Sequence, residues 1–135
     1  MATKIWKIHP KYLDDEEIHS LFIEFYAIKE KMDRGIFDFD YDDFFLIFRN
    51  NNNPDLAFKA YLYQIYLEIS KRGFDVSEEN VESVSIVEKI PVTYKELKKE
   101  FQEYLENVKN RDIAKYISIN NEVEILPNPI FNLAN

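Results

Sequence analysis

Residues 15–33 read DEEIHSLFIEFYAIKEKMD, and their spacing decides the fold class. Ile18, Leu21, Phe22, Phe25, Ile28 and Met32 recur every three or four residues, the period of an amphipathic helix. Asp14 or Asp15 stands where a cap belongs, and Gly35 lies just past the end. The pattern returns twice. From Asn53-Pro54, where proline suits a first helical turn, Phe58, Leu62, Ile65, Tyr66 and Ile69 line a second helix that stops at Gly73. Thr93-x-x-Glu96, a capping box, opens a third over Leu97, Phe101, Tyr104, Leu105 and Val108. These periods predict an all-α fold. Residues 1–135 are read as one compact domain on three main helices, with irregular connectors and an extended C-terminal tail.

The connectors carry weaker signals. An aromatic and acidic stretch from Phe37 to Tyr41 precedes an expected short helix from Asp42 to Phe48, and asparagines follow. A helical turn is expected after Ser77. The tail, from Ile117 to Asn135, holds Pro127 and Pro129 and is expected to pack over the helices through Ile125, Leu126, Ile130 and Phe131.

Composition narrows the function classes. A chain of 135 residues with one Trp, nine Tyr and eleven Phe can fill a single core. It has no cysteine, which excludes disulfides, thiolate chemistry and Cys-type zinc sites. No apolar run reaches the ~20 residues that span a bilayer, and Met1-Ala2-Thr3-Lys4 lacks a signal-peptide core, so an intracellular protein is expected. The formal net charge is −8. Acids cluster at 14–17, 38–43 and 78–82, and bases at Lys4, Lys7 and Lys11, Lys71 and Arg72, Lys95 to Lys99, and Lys109 to Lys115. Such segregation permits a cationic patch on an anionic body.

Several chemistries fail on spacing. Asp38-x-Asp40-x-Asp42 opens like a calcium loop, but the sixth and twelfth positions hold Asp43 and Arg49 where glycine and glutamate belong. His9 and His19 are ten apart and form no metal pair. With Gly35 and Gly73 the only glycines, phosphate loops and nucleophile elbows are absent. What remains is amine chemistry or no chemistry. Glu24 falls at the edge of the first helix's apolar stripe and has no Lys or Arg four residues on. By position alone it is a solvated edge residue.

An ordered set of motifs adds a second line of inference. Ile5-Trp6-Lys7-Ile8-His9-Pro10-Lys11-Tyr12-Leu13-Asp14 is followed by Leu21-Phe22-Ile23-Glu24, Arg49-Asn50 with Pro54-Asp55-Leu56, and Lys71-Arg72-Gly73-Phe74. Ile90-Pro91-Val92-Thr93, Arg111-Asp112 and Leu126-Pro127-Asn128-Pro129-Ile130 complete the series. In this order they resemble the endonuclease V (pyrimidine-dimer DNA glycosylase) family, nearest its bacterial branch. The resemblance implies a compact helical glycosylase and AP lyase acting on pyrimidine-dimer or abasic double-stranded DNA. It implies a monomer without cofactor or metal. The family's nucleophile is an N-terminal amine, which here belongs to Ala2 if Met1 is removed, or to Thr3 by its Thr3-Lys4-Ile5 context. Glu24 takes the place of the proton-transfer glutamate. Lys4, His9, Lys11, Lys71 and Arg72 are the implied DNA-binding residues. The alternative is a non-catalytic helical domain of the same fold that binds a protein or nucleic acid.

Overall fold

The computed structural model describes residues 5–36, 46–48, 53–76, 81–84 and 88–134. They are mostly helical. Helix α1 spans Asp15–Asp33, α2 Pro54–Lys71, α3 Tyr94–Lys109 and α4 Ile113–Asn120. Strand β1 (Ile90–Thr93) pairs in parallel with β2 (Phe131–Ala134), Ile90 opposite Phe131 and Thr93 opposite Ala134. The short sheet modifies the all-α expectation without changing the helical character of the whole.

Local chemistry explains the helix ends. Asn53 accepts the Leu56 N–H through its side chain at 3.1 Å and caps α2. Thr93 accepts the Glu96 N–H at 3.1 Å, and its hydroxyl donates to the Glu96 carboxylate at 3.0 Å, so the capping box forms. At Gly35 and Gly73 the chain turns through positive φ of 74° and 91°. The next residues, Ile36 and Phe74, then bond back to Lys31 and Ile69, closing each helix with a left-handed cap.

Helices α1 and α2 pack through Phe25, whose ring lies 5.2 Å from Phe58 and 5.3 Å from Tyr61. Helix α3 buries Leu97, Phe101, Tyr104, Leu105 and Val108. Residues 5–13 bridge these two layers. The Trp6 ring meets Tyr104 of α3 edge-on at 5.1 Å, while the Trp6 carbonyl accepts the Tyr61 hydroxyl of α2 at 2.7 Å. Tyr12 meets Phe101 edge-on at 5.2 Å. Burying each such ring contributes on the order of 2 kcal/mol, so the N-terminal stretch is part of the core and not an appendage.

Some expectations required correction. The tail was to be extended from Ile117, but residues 113–120 form α4, because Asp112 accepts the Lys115 N–H at 3.0 Å and caps it. Leu126 was expected to pack its side chain, which is 40% exposed. Its backbone does the work instead, accepting from His9 N–H at 2.9 Å and donating to the Tyr12 hydroxyl at 3.1 Å. Of the stretch 42–48, Leu46–Phe48 form a 3-10 turn that buries Phe48 against Phe58. The rest of that expected helix, the stretch 37–41 and the turn after Ser77 lie outside the described residues. No described helix is long and apolar enough to cross a membrane.

Candidate functional site

Motif residues from the end of α2, from Arg111 and from the tail meet at one place, the segment from Lys7 to Asp14. Proline fixes the backbone of a 3-10 turn at Pro10–Tyr12, and the His9 Nδ1 caps it by accepting the Lys11 N–H at 3.0 Å. On one side the tail grips the segment: Asn128 N–H donates to the Lys7 carbonyl at 2.7 Å, and Ile8 bridges Pro127. On the other, α3 reaches it through Glu100, whose Oε1 accepts the N–H groups of Lys7 (2.5 Å) and Ile8 (3.1 Å).

Asp14 closes the segment. It occupies the N-cap position of α1 but makes no side-chain cap bond. Its carboxylate is 1% exposed and receives a two-pronged Arg111 guanidinium, Nε to Oδ2 at 2.9 Å and Nη2 to Oδ1 at 2.7 Å. Tyr104 completes the set, its hydroxyl donating to Asp14 Oδ1 and accepting the Asp14 N–H at 2.5 Å. Burial alone would raise the Asp14 pKa, but Arg111 and Tyr104 outweigh it and hold the carboxyl below its usual range. Burial and the bond to Asp14 push the Tyr104 hydroxyl well above its own.

A second cluster surrounds the same turn and brings together four of the five expected DNA-binding residues. Arg72, at the end of α2, donates to the carbonyls of Pro10 (3.2 Å) and Leu13 (2.5 Å), to Asp15 (3.0 Å) and to Glu68 (2.9 Å). Lys71 beside it is exposed, as is Lys11. Lys115 of α4, absent from the sequence-derived set, donates its Nζ to the Lys11 carbonyl at 2.7 Å. Burial and the neighbouring Arg72 lower the Lys115 pKa. Burial likewise lowers His9, with Lys11 and Lys71 adding to it against Glu68. Lys4, the fifth, lies outside the described residues.

The expected catalytic residues divide. Ala2 and Thr3 lie outside the described residues. Glu24 is half-buried on α1, and no hydrogen bond or ion pair engages its carboxylate among the described residues. Along the same helix edge, two turns earlier, burial raises the Glu17 pKa beside the Trp6 indole and Arg111. A cleft of about 350 Å³ opens where the described chain begins, lined by Ile5, Lys7, Ile47, Glu96, Lys99, Glu100 and Glu103. Glu24 is not among its walls. Sequence reading missed Glu100, although a carboxylate set between Leu97 and Tyr104 in an apolar stripe is itself a signal. No group of three or more His, Asp or Glu suited to a metal occurs among the described residues.

Comparison with protein-family models, with curated proteins and with solved structures finds no match.

Proposed function

We propose that this chain is a DNA-repair glycosylase with AP-lyase activity on pyrimidine-dimer or abasic duplex DNA. The N-terminal amine, that of Ala2 after loss of Met1, is the nucleophile, and Glu24 is the proton-transfer carboxylate. The observation that carries the reading is the fate of the acids near the N-terminal segment. Asp14 and Glu100 are held by partners, whereas Glu24 is half-buried and, among the described residues, no hydrogen bond or ion pair engages its carboxylate. A carboxylate kept partly from water without structural duty is a candidate for chemistry.

The chemistry follows from the groups. An α-amine has an ordinary pKa near ~8, so a useful fraction is unprotonated at neutral pH. Its nitrogen bonds to the sugar C1′ as the glycosidic bond breaks, and the base leaves with the electron pair. Loss of a proton from nitrogen and opening of the sugar ring give an imine. Removal of a C2′ proton then expels the 3′ phosphate by β-elimination. Glu24 is suited to carry these protons and to stabilise the cationic imine. Glu24→Gln tests the assignment on an abasic duplex: strand cleavage is expected to fall at least 100-fold with the fold intact, and unchanged cleavage refutes it.

A non-catalytic binding domain is the second reading. It draws on the net charge of −8 and on the internal engagement of Arg72, Arg111 and Lys29, which removes three cations from service on a phosphate surface.

A further inference from the structure

We infer that the open edge of β2 pairs with the same edge of a second copy of the chain, strand antiparallel to strand, through the backbone of Leu133. The inference goes beyond the enzymatic reading and does not depend on it. It departs from the monomer that the family resemblance implied. In a two-stranded sheet each strand has one paired side and one open side, and its residues face them alternately. The Ile90 N–H donates to the Ile130 carbonyl at 2.9 Å, and Ile90 stands opposite Phe131. Counting on by twos, Asn132 and Ala134 turn their backbone groups to β1, and Leu133 turns its N–H and C=O away. Among the described residues no hydrogen bond engages either group, and the Leu133 side chain is 48% exposed.

The two open edges differ. That of β1 is closed by Pro91, which faces away from β2, is exposed and has no N–H to give. Glu88 and Lys89 lie just before it. Proline and charge are the usual guards of an edge strand, and Phe131–Ala134 has neither. Residues 125–135, ILPNPIFNLAN, hold no charged side chain in a chain where 31% of residues are charged. The row of open backbone groups calls for an extended strand, and a second copy fits it. A net charge of −8 opposes the approach of like chains, but an uncharged strand lets two copies meet without setting acid against acid. A twofold axis at Leu133 is self-complementary: each Leu133 N–H donates to the other's carbonyl, and the two half-exposed side chains come side by side. Phe131 adds no donor, because its N–H already goes to the Asn128 carbonyl at 2.8 Å. The contact is therefore short and the dimer weak.

The test is sedimentation equilibrium of the full chain from ~10 μM to ~1 mM, with amide hydrogen exchange read by NMR at both ends of that range. The mass is expected to rise from monomer towards dimer. The Leu133 N–H should exchange more slowly at the higher concentration, while the Ala134 N–H is protected at both. Leu133→Pro removes the open-edge donor and no donor of the β1 ladder. It is expected to weaken self-association ~10-fold or more, two hydrogen bonds being lost per dimer, with the urea midpoint unchanged. Asn132→Pro removes a ladder donor instead and is expected to lower the midpoint. Leu133→Lys keeps the N–H but sets two ammonium groups opposite each other, so self-association should fall at low salt and recover as salt rises. A chain that stays monomeric to ~1 mM overturns the inference, whichever other strand the edge then proves to accept. So does self-association that neither Leu133→Pro nor Leu133→Lys reduces.

Discussion

Asp14 is the N-cap of helix α1 and Glu24 lies on its body. Ten residues apart on the same helix, they have opposite surroundings. Asp14 is buried and every side of it is met, by Arg111, by the Tyr104 hydroxyl and by its own N–H held on that hydroxyl. Glu24 is half-buried and its carboxylate meets nothing comparable among the described residues. Glu100, on α3, belongs with Asp14, since its oxygen holds two backbone N–H groups of the N-terminal segment. The contrast separates acids that build the fold from one that no described residue engages, and it is open to direct attack.

The largest effect on stability is expected at Asp14. Asp14→Ala removes the two-pronged Arg111 pair and leaves the buried Tyr104 hydroxyl without its acceptor, and a loss of about 3 kcal/mol in urea unfolding is predicted. A loss below ~1 kcal/mol would show that the cluster is not the clasp described. Glu100→Ala removes the acceptor of two N–H groups and is expected to cost about 1–3 kcal/mol in the same assay. Glu24→Gln is expected to change stability by no more than ~0.5 kcal/mol. If it proves as costly as Glu100→Ala, Glu24 is structural and the contrast collapses.

Acidification sharpens the comparison. The folded Asp14 has a lowered pKa, so its stabilisation is complete above the unfolded value of ~3.9 and is lost as pH falls through the folded value. The stability gap between wild type and Asp14→Asn should therefore narrow as pH is taken from 5 towards 2. A gap that stays constant over that range contradicts the assigned partners. A smaller effect is expected at His9, which faces Lys11, Lys71 and Glu68 and whose Nδ1 accepts the Lys11 N–H. Its imidazole should titrate below 6.5 by NMR and move upward in Lys11→Ala/Lys71→Ala.

What could be read from sequence was what local rules govern. The bounds of α1, the Asn53 cap and the Thr93 capping box follow from residues within four positions of one another. Helix α4 escaped because Ile113 and Ile117 are exposed and only Ile119 is buried, so no apolar stripe marks it. The role of Asp14 escaped for another reason. It stands where a cap belongs, yet its partner Arg111 is 97 residues away. Arg72 enters the DNA-binding set through the resemblance at Lys71-Arg72-Gly73-Phe74, and its bonds to the Pro10 and Leu13 carbonyls, some sixty residues away, were not legible there. Several of the sequence motifs meet in one neighbourhood. The pieces at 7–14, 71–74, 111–112 and 126–130 form a single clasp, so part of their order is explained by packing around the N-terminal segment. Glu24 lies outside this clasp.

Borohydride trapping tests the central claim most directly. Natively processed chain, its N-terminal residue established by mass, is mixed with a duplex carrying one abasic site and reduced. The account predicts a covalent adduct that maps to the N-terminal residue, with strand cleavage lost in Glu24→Gln. The absence of an adduct, with a phage enzyme of the endonuclease V family trapping normally alongside, would contradict amine catalysis and leave the non-catalytic reading in its place.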